Sequence, residues 1–385
     1  MSDPKTDIIT EFPGEVYNLA LNEVIEKHFG TSHKECKVLI DAGSSKGDNY
    51  IGIVYRVTAK HPSKGELSLI VKLPPDSATV REQFYVRPCF LRESEFYDTI
   101  FPIFTKFQEE KGIDVKKDGF YEVPECFKSL TEDTVEAFYL EDLKVGGFEM
   151  FDRFEDTTVH HVNRVMEVLG KFHAISLALK HQRPEVIAPF QKMHDIFLER
   201  DEKCMKLIRV WFESLKKQAL SVLDACGNQD LVSKTKALLD GDFFEQSRSY
   251  VKGDLAEPYA VICHGDCWNN NIMYRNEVSL KLNEWEKNLL GSDPDKVFPR
   301  EALNDQLKRF AKFGLFMAII VLPIFTSNPE DIPDMDSVAA KFKDAQENGE
   351  ELDEGAVQYT SSQTIGRYTK RMDGVFQDMY RLGYL

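Results

Sequence analysis

The run Ala260-Val-Ile-Cys-His264-Gly265-Asp266-Cys-Trp-Asn-Asn-Asn271-Ile-Met-Tyr274 sets a His-Gly-Asp turn between two short apolar stretches. Asn271 follows five residues after Asp266. In an H-x-D-x-x-x-x-N arrangement the aspartate takes the proton of an attacking hydroxyl. The asparagine, returned to the same cleft by the tight loop, holds a Mg²⁺ on phosphates. Asp266 is therefore the candidate base and Asn271 a candidate metal ligand. His264 is read as packing and hydrogen bonding to shape the turn, not as a base. Cys263, His264 and Cys267 have no second Cys/His pair at zinc-site spacing and read as loop residues.

A phosphate-handling site needs cations and unobstructed backbone N–H groups, and three more segments offer them. Gly43-Ser44-Ser-Lys-Gly47-Asp-Asn-Tyr-Ile-Gly52 brings glycines to a hairpin, where the missing Cβ lets N–H groups approach phosphate oxygens. Alone, such a hairpin is equally a plain turn. Lys72, inside Ile70-Val-Lys-Leu, stands where a strand lysine pairs with α- and β-phosphates; the bland alternative is a solvated lysine on an outer face. Such a lysine needs an anchoring carboxylate, and Arg92-Glu93-Ser-Glu95-Phe-Tyr97 offers Glu93 as the choice and Glu95 as the alternative. Each signal is weak alone. Their order, glycine hairpin, strand lysine, helix glutamate, linker and H-G-D-x-x-x-x-N, is the order of a bilobal kinase.

The elements that must hold these residues are legible in the periodicity. Lys37-Val-Leu-Ile-Asp41, Tyr50-Ile-Gly-Ile-Val-Tyr-Arg-Val57, Leu67-Ser-Leu-Ile-Val-Lys-Leu73 and Ala137-Phe-Tyr-Leu140 read as strands, with a helical segment around residues 90–104. From Val159 the period becomes helical, with Val162, Val165, Met166, Leu169, Phe172 and His173 on one stripe. The expected fold is α+β: a small antiparallel-sheet lobe over residues 1–143, ending in the strap Glu141-Asp-Leu-Lys-Val-Gly-Gly147, and a helical lobe over residues 144–385 that carries the catalytic loop. The acidic stretch at residues 328–354 reads as a solvated loop or exposed helix. No internal repeat is visible.

Composition narrows the partners. At 385 residues the chain is long enough for two cores, and 42% hydrophobic with 29% charged residues is ordinary for a globular protein. A net charge of −16 and a pI near 5.1 disfavour nucleic acids and anionic membranes and favour a small-molecule partner. Seven scattered cysteines, Cys36, Cys89, Cys126, Cys204, Cys226, Cys263 and Cys267, without a C-x-x-C pair, read as reduced, and a cytoplasmic location is expected. Met1-Ser-Asp-Pro-Lys-Thr-Asp has no basic and apolar signal pattern. The apolar run at residues 313–325 contains Pro323 and falls short of the roughly 20 residues of a membrane span, so it reads as a buried helix. Oligomeric state is not legible.

His264-Gly-Asp-Cys-Trp-x-x-Asn-Asn271-Ile-Met resembles the H-G-D-C-W-x-x-N-N-I-M signature of the ecdysteroid kinase-like (CHK kinase-like) family, which is related to choline kinases and aminoglycoside phosphotransferases. Phe138-Tyr-Leu-Glu-Asp-Leu143, Leu169-Gly-Lys-Phe-His-Ala174, Leu290-Gly-Ser-Asp-Pro-Asp295 and Phe310-Ala-Lys-Phe-Gly314 extend the resemblance over most of the chain. The resemblance implies an ATP- and Mg²⁺-dependent kinase of small hydroxylated compounds, with ecdysteroids and plant or xenobiotic metabolites as acceptors, mostly in insects. It implies that the hinge backbone near Glu141 and Leu143 holds adenine, that Asp266 is the base and that Asn271 is a metal ligand. The acceptor pocket would lie in residues 190–244 and 310–325, whose aromatic and aliphatic side chains suit an apolar acceptor such as a sterol, but equally core packing. A protein kinase is disfavoured by the His-Gly-Asp loop and by the lack of an Ala-Pro-Glu segment.

The pattern breaks after the loop. The family continues through a strand to an Ile-Asp-Trp/Phe-Gln turn whose Asp binds Mg²⁺. Here Tyr274-Arg-Asn-Glu-Val278 runs into Ser279-Leu-Lys-Leu-Asn-Glu-Trp-Glu286 and Leu290-Gly-Ser-Asp-Pro, which match a region well downstream. A block carrying the second metal Asp is thus missing near Val278, as from a skipped exon or an incomplete gene model. Leu282-Asn-Glu284-Trp285-Glu286 mimics the lost turn with Glu for Asp. In a strand register Glu284 reaches the metal, with a longer side chain than strict Mg²⁺ geometry favours; in the other reading this stretch is helix. Two readings follow: a small-molecule kinase, or an impaired relative that binds nucleotide or a small ligand without turnover.

Overall fold

A computed structural model of the chain describes residues 11–43, 52–199, 202–275, 289, 291, 293–348 and 359–385. Ser44, Gly47 and Glu284 lie outside the described residues. Contacts divide the chain into two units, Met1–Lys106 with Tyr121–Phe151 and Asp266–Leu280, and Phe107–Phe120 with Asp152–Gly265 and Lys281–Leu385. Within the first unit, Glu149–Met150 of the strap pair with Met273–Tyr274 from the chain after Asp266.

The first unit is built on a five-stranded antiparallel sheet in the order β1 (Lys37–Ala42), β2 (Ile53–His61), β3 (Gly65–Leu73), β5 (Ala137–Glu141), β4 (Cys126–Leu130). The alternation of β3 decides its faces. Leu67, Leu69, Val71 and Leu73 are buried with Val57, Ala59, Ala137 and Tyr139. Against them pack Leu21, Val24, Ile25 and Phe29 of α1 (Glu15–Phe29). This helix lies ahead of every expected strand and was not anticipated. Its apolar spacing is helical, Glu15 and Lys27 suit its dipole ends, and Gly30 closes it at φ +63° with an N–H to Glu26 O. Strand β4 was also missed.

Lys72 and Phe138 take the opposite face by the same period. After the short α2 (Ala78–Gln83), that face is covered by α3 (Val86–Glu95), which runs through a π turn at Phe96–Ile100 into α4 (Phe101–Glu110). Phe90 stacks on Phe138 with centroids 5.5 Å apart. Beyond the sheet, the short strands β6 (Glu149–Met150) and β7 (Met273–Tyr274) pair antiparallel. Sheet followed by helices is the element order of a kinase-like fold.

The second unit is helical. Its long helices are α5 (Val159–Gln182), α6 (Glu202–Asp224), α7 (Gln229–Leu238), α8 (Phe243–Tyr250), α9 (Arg300–Thr326), α10 (Met335–Asn348) and α11 (Ile365–Arg381). Leu207, Ile208, Phe212, Leu215, Ala219, Val222 and Leu223 give α6 one buried face; Tyr368, Met372, Phe376 and Met379 do the same for α11. The apolar stripe expected along α5 is only partly internal: Val162 and Met166 are exposed, and burial begins at Phe172. α9 is long and apolar enough to cross a membrane by length and composition, yet Leu315, Phe316, Ile319, Ile320, Pro323 and Ile324 are buried, and the helix packs on α6, α8 and α11. Phe212, Phe243, Phe244 and Phe316 are also buried, with Phe243 and Phe316 4.9 Å apart. Of the two readings of this aromatic region, the structure gives core packing to these four. The acidic stretch at residues 328–354 contains α10, which buries Val338, Ala339 and Phe342 and leaves Asp336, Ser337, Lys341, Lys343 and Asp344 exposed.

Candidate active site

The catalytic loop is approached by a segment tied to the helices. Ile262 N–H donates to Ser176 Oγ of α5 across 2.9 Å, both in the second unit. Gly265 then turns the chain at φ +83°, a conformation that β-carbon-bearing residues resist. A short helical turn at Asn269–Asn271 returns the backbone, with Asn271 N–H donating to Trp268 O at 2.9 Å. The Asn271 side chain is thereby brought against Asp266: Nδ2 donates to Oδ2 at 2.8 Å and to the Asp266 carbonyl at 2.9 Å. His264, expected to pack, is exposed, as is Asp266. Desolvation, and then the neighbouring Asp266 carboxylate, push the Cys267 thiol above its ordinary value, which keeps it protonated.

The Lys72 ammonium meets Glu93 Oε2 at 2.5 Å. Glu93, the first choice of the two helix carboxylates, is the partner. The ammonium also lies 5.6 Å from the centroid of Phe90, a cation–π distance that adds to the ion pair. Aromatic rings close off one side: Tyr97 lies 6.0 Å from Phe138, and burial first, with the Glu93 carboxylate second, pushes the Tyr97 hydroxyl well above the usual phenol range. In the same wall Cys126 is pushed up to about 12 by burial, with Asp98 second. These two groups stay neutral.

Gly43 has a different job from the one expected. Its N–H donates to Val54 O at 2.8 Å, extending the β1–β2 ladder. A Cβ there would stand 2.7 Å from Val54 Cγ1 and 2.8 Å from the Tyr55 carbonyl carbon. The close approach that needs glycine at this position is to the neighbouring strand, and this N–H is committed to it.

Glu141 ends β5, and its N–H donates to Glu125 O at 2.9 Å; Leu143 opens a turn at Leu143–Gly146 that Gly147 closes at φ +81°. Three residues with no role in the sequence reading shape this region. Asp142 is buried between Glu141 and Leu143. Asn269 Nδ2 donates to Phe151 O at 2.9 Å, and Arg275 Nη1 to Gly146 O at 3.0 Å while its guanidinium lies 4.5 Å from the Phe148 ring. With the β6–β7 pairing, these contacts fasten the exit of the catalytic loop to the strap after the hinge. A shallow depression lined by Lys144, Phe148, Glu149 and Met150 opens on that strap. The one advance signal was the Asp in Glu141-Asp-Leu143, a residue type that caps turns.

Asp266 with Asn271, Lys72 with Glu93, and the hinge from Glu141 to Leu143 all belong to the first unit. The arrangement offers a fixed cation, a carboxylate oriented by an amide donor, and a backbone edge. Among the described residues no three His, Cys, Asp or Glu side chains gather as a metal centre.

The model of the ecdysteroid kinase-like family matches residues 46–285, more than half of the chain. The match takes in Lys72, Glu93, Glu141 to Leu143 and the segment from His264 to Asn271, and ends at Trp285. No curated protein and no solved structure matches the chain.

Proposed function

Because the chain belongs to the ecdysteroid kinase-like family, a family of kinase-like phosphotransferases, we propose that it transfers the γ-phosphate of ATP to a hydroxyl of an ecdysteroid-like or xenobiotic small molecule. The observation that carries this reading is that one compact unit holds both the Lys72–Glu93 ion pair and the Asp266–Asn271 pair.

The residues present fit both groups that such a reaction needs. A lysine held in place by a carboxylate suits the phosphates of ATP. The side-chain oxygen of Asn271 is a hard donor of the kind Mg²⁺ takes, and Mg²⁺ commonly relies on few protein ligands, phosphates and water. When bound, the metal neutralises charge on the transferring phosphoryl. The protein's own part is then positional and protonic. Glu93 fixes the Lys72 ammonium so that it meets phosphate oxygens in one place. Glu141 and Leu143 present main-chain groups to adenine. Asp266, oriented by Asn271 Nδ2, takes the proton of the acceptor hydroxyl as the oxygen attacks. Glu284 is the residue proposed to replace the missing metal Asp.

The sequence break at Val278, close to where the family match ends, favours a second reading: an impaired relative that binds nucleotide without turnover. Radiolabelled ATP, Mg²⁺ and a panel of hydroxylated steroids and plant metabolites separate the two. A catalyst forms phosphorylated product and loses it by about 10²–10⁴-fold in Asp266→Asn, the range of a general base. A wild-type rate equal to that of the variant, with a Mg²⁺-dependent rise in melting temperature on adding ATP, leaves the binder.

A further inference from the structure

We propose that Asp142 is a positioning residue that sets the hinge backbone for the adenine end of the nucleotide; this rests on the nucleotide reading above. Asp142 is 4% exposed, and a buried carboxylate persists only when its oxygens are bonded. The two oxygens do different work. Oδ2 accepts from Arg56 Nε of β2 at 2.8 Å and from Ser68 Oγ of β3 at 3.0 Å. Oδ1 accepts from Lys144 N–H at 3.1 Å and so caps the turn that follows. One side of the carboxylate is tied back to the two central strands, and the other forward into the strap.

The main chain around it is closed by bonds from Val145 N–H to Asp142 O at 3.0 Å and from Phe148 N–H to Leu143 O at 3.2 Å. Glu141 and Leu143 therefore have their orientation fixed from both flanks by the residue between them. Arg56 Nη2 is buried with no hydrogen-bond partner, so the guanidinium depends on Asp142 for its neutralising charge. Substituting Asp142 removes the acceptor of Arg56 Nε and leaves the turn at Lys144 uncapped. Binding groups displaced by about 1 Å lose much of their effect.

Calorimetric titration of ATP and of inorganic tripolyphosphate, both with Mg²⁺, into the full-length wild type, Asp142→Asn and Ser68→Ala tests this. The ratio of the two affinities isolates what adenosine adds. The expected result is a wild-type ratio well above one, reduced about tenfold or more in Asp142→Asn, the usual worth of a hydrogen bond to a charge. Ser68→Ala, which removes one donor and keeps the carboxylate, shifts the ratio the same way by less and keeps the test valid if Asp142→Asn folds poorly. Tripolyphosphate affinity stays constant throughout. A wild-type ratio retained in both variants, even with a lowered melting temperature, overturns the inference and leaves Asp142 a structural residue. A wild-type ratio of one removes the adenine reading of the hinge itself, and this inference with it.

Discussion

Asn271 Nδ2 donates to Asp266 Oδ2 across 2.8 Å, five residues along the chain. An amide donor against a carboxylate fixes its direction. Removing the donor in Asn271→Ala is expected to lower phosphoryl transfer by about 10²–10³-fold, the cost of losing one positioned donor. Turnover in Asn271→Ala equal to that of the wild type would show that this donor is not needed.

Glu93 separates stability from binding. The Lys72 and Glu93 side chains are 32% and 29% exposed, so Glu93→Gln is expected to change unfolding free energy by no more than about 1 kcal/mol. ATP affinity should nevertheless fall about tenfold, because the ammonium loses its anchor. Glu95→Gln, two residues on, should do neither. Urea melts and calorimetry on both variants decide this, and a loss of affinity in Glu95→Gln equal to that in Glu93→Gln would refute the assignment.

Glu136 gives the fold an acid-sensitive element. Its side chain is fully buried, with Arg81 Nη2 and Arg87 Nη1 each 2.6 Å from one of its oxygens, and Asp133 3.6 Å from Arg87 Nε. Burial works to raise its pKa, but hydrogen bonds from Arg81 and Arg87 outweigh it and hold the carboxyl below its ordinary 4.5. Below that ordinary value the unfolded chain takes up a proton that the folded chain refuses. The stabilisation is thus complete above about 4.5 and is lost as pH falls through the lower folded value. Glu136→Gln should cost about 1–3 kcal/mol at neutral pH, because two charge-assisted hydrogen bonds to a buried carboxylate are weakened. It should also flatten the acid limb of a plot of stability against pH. An acid limb unchanged in the variant would assign that sensitivity elsewhere.

Two glycines should fail for different reasons. Gly43→Ala drives a Cβ to 2.7 Å from Val54 Cγ1, an overpacking expected to cost about 1–3 kcal/mol. At Gly265 a Cβ meets nothing within 4 Å, and only φ +83° resists it. Gly265→Ala should therefore cost about 1 kcal/mol, with its larger effect on the catalytic loop. Melting temperature and ATP-dependent turnover, measured together, distinguish them: a Gly265→Ala protein with unaltered turnover would mean the turn tolerates a side chain.

Much of the fold was readable in advance because its signals are short-range. The alternation in Leu67-Ser-Leu-Ile-Val-Lys-Leu73 marked β3 and put Lys72 on the face opposite the buried leucines. The helical period from Val159 marked α5, but which part of its stripe is covered was not in the pattern: Val162 and Met166 stay exposed. α1 and β4 were missed, although Leu21, Val24 and Ile25 recur at helical spacing.

For the candidate site, residue types at fixed spacing singled out Asp266, Asn271, Lys72 and Glu93, and the structure pairs Asn271 with Asp266 and Lys72 with Glu93. Partners far along the chain were another matter. Arg56 reaches Asp142 across 86 residues, Asn269 reaches Phe151 across 118, and Arg275 reaches Gly146 across 129. By itself the sequence determined the kinds of element, the family and the residues able to do chemistry, since these depend on local period and on side-chain type. Only the tertiary structure decided that Gly43 packs against the neighbouring strand, that Asp142 ties Arg56 and Ser68 to the turn at Lys144, and that Asn269 and Arg275 bond to the strap. Those roles arise when buried polar groups from distant segments must satisfy one another, a condition that no stretch of sequence carries alone.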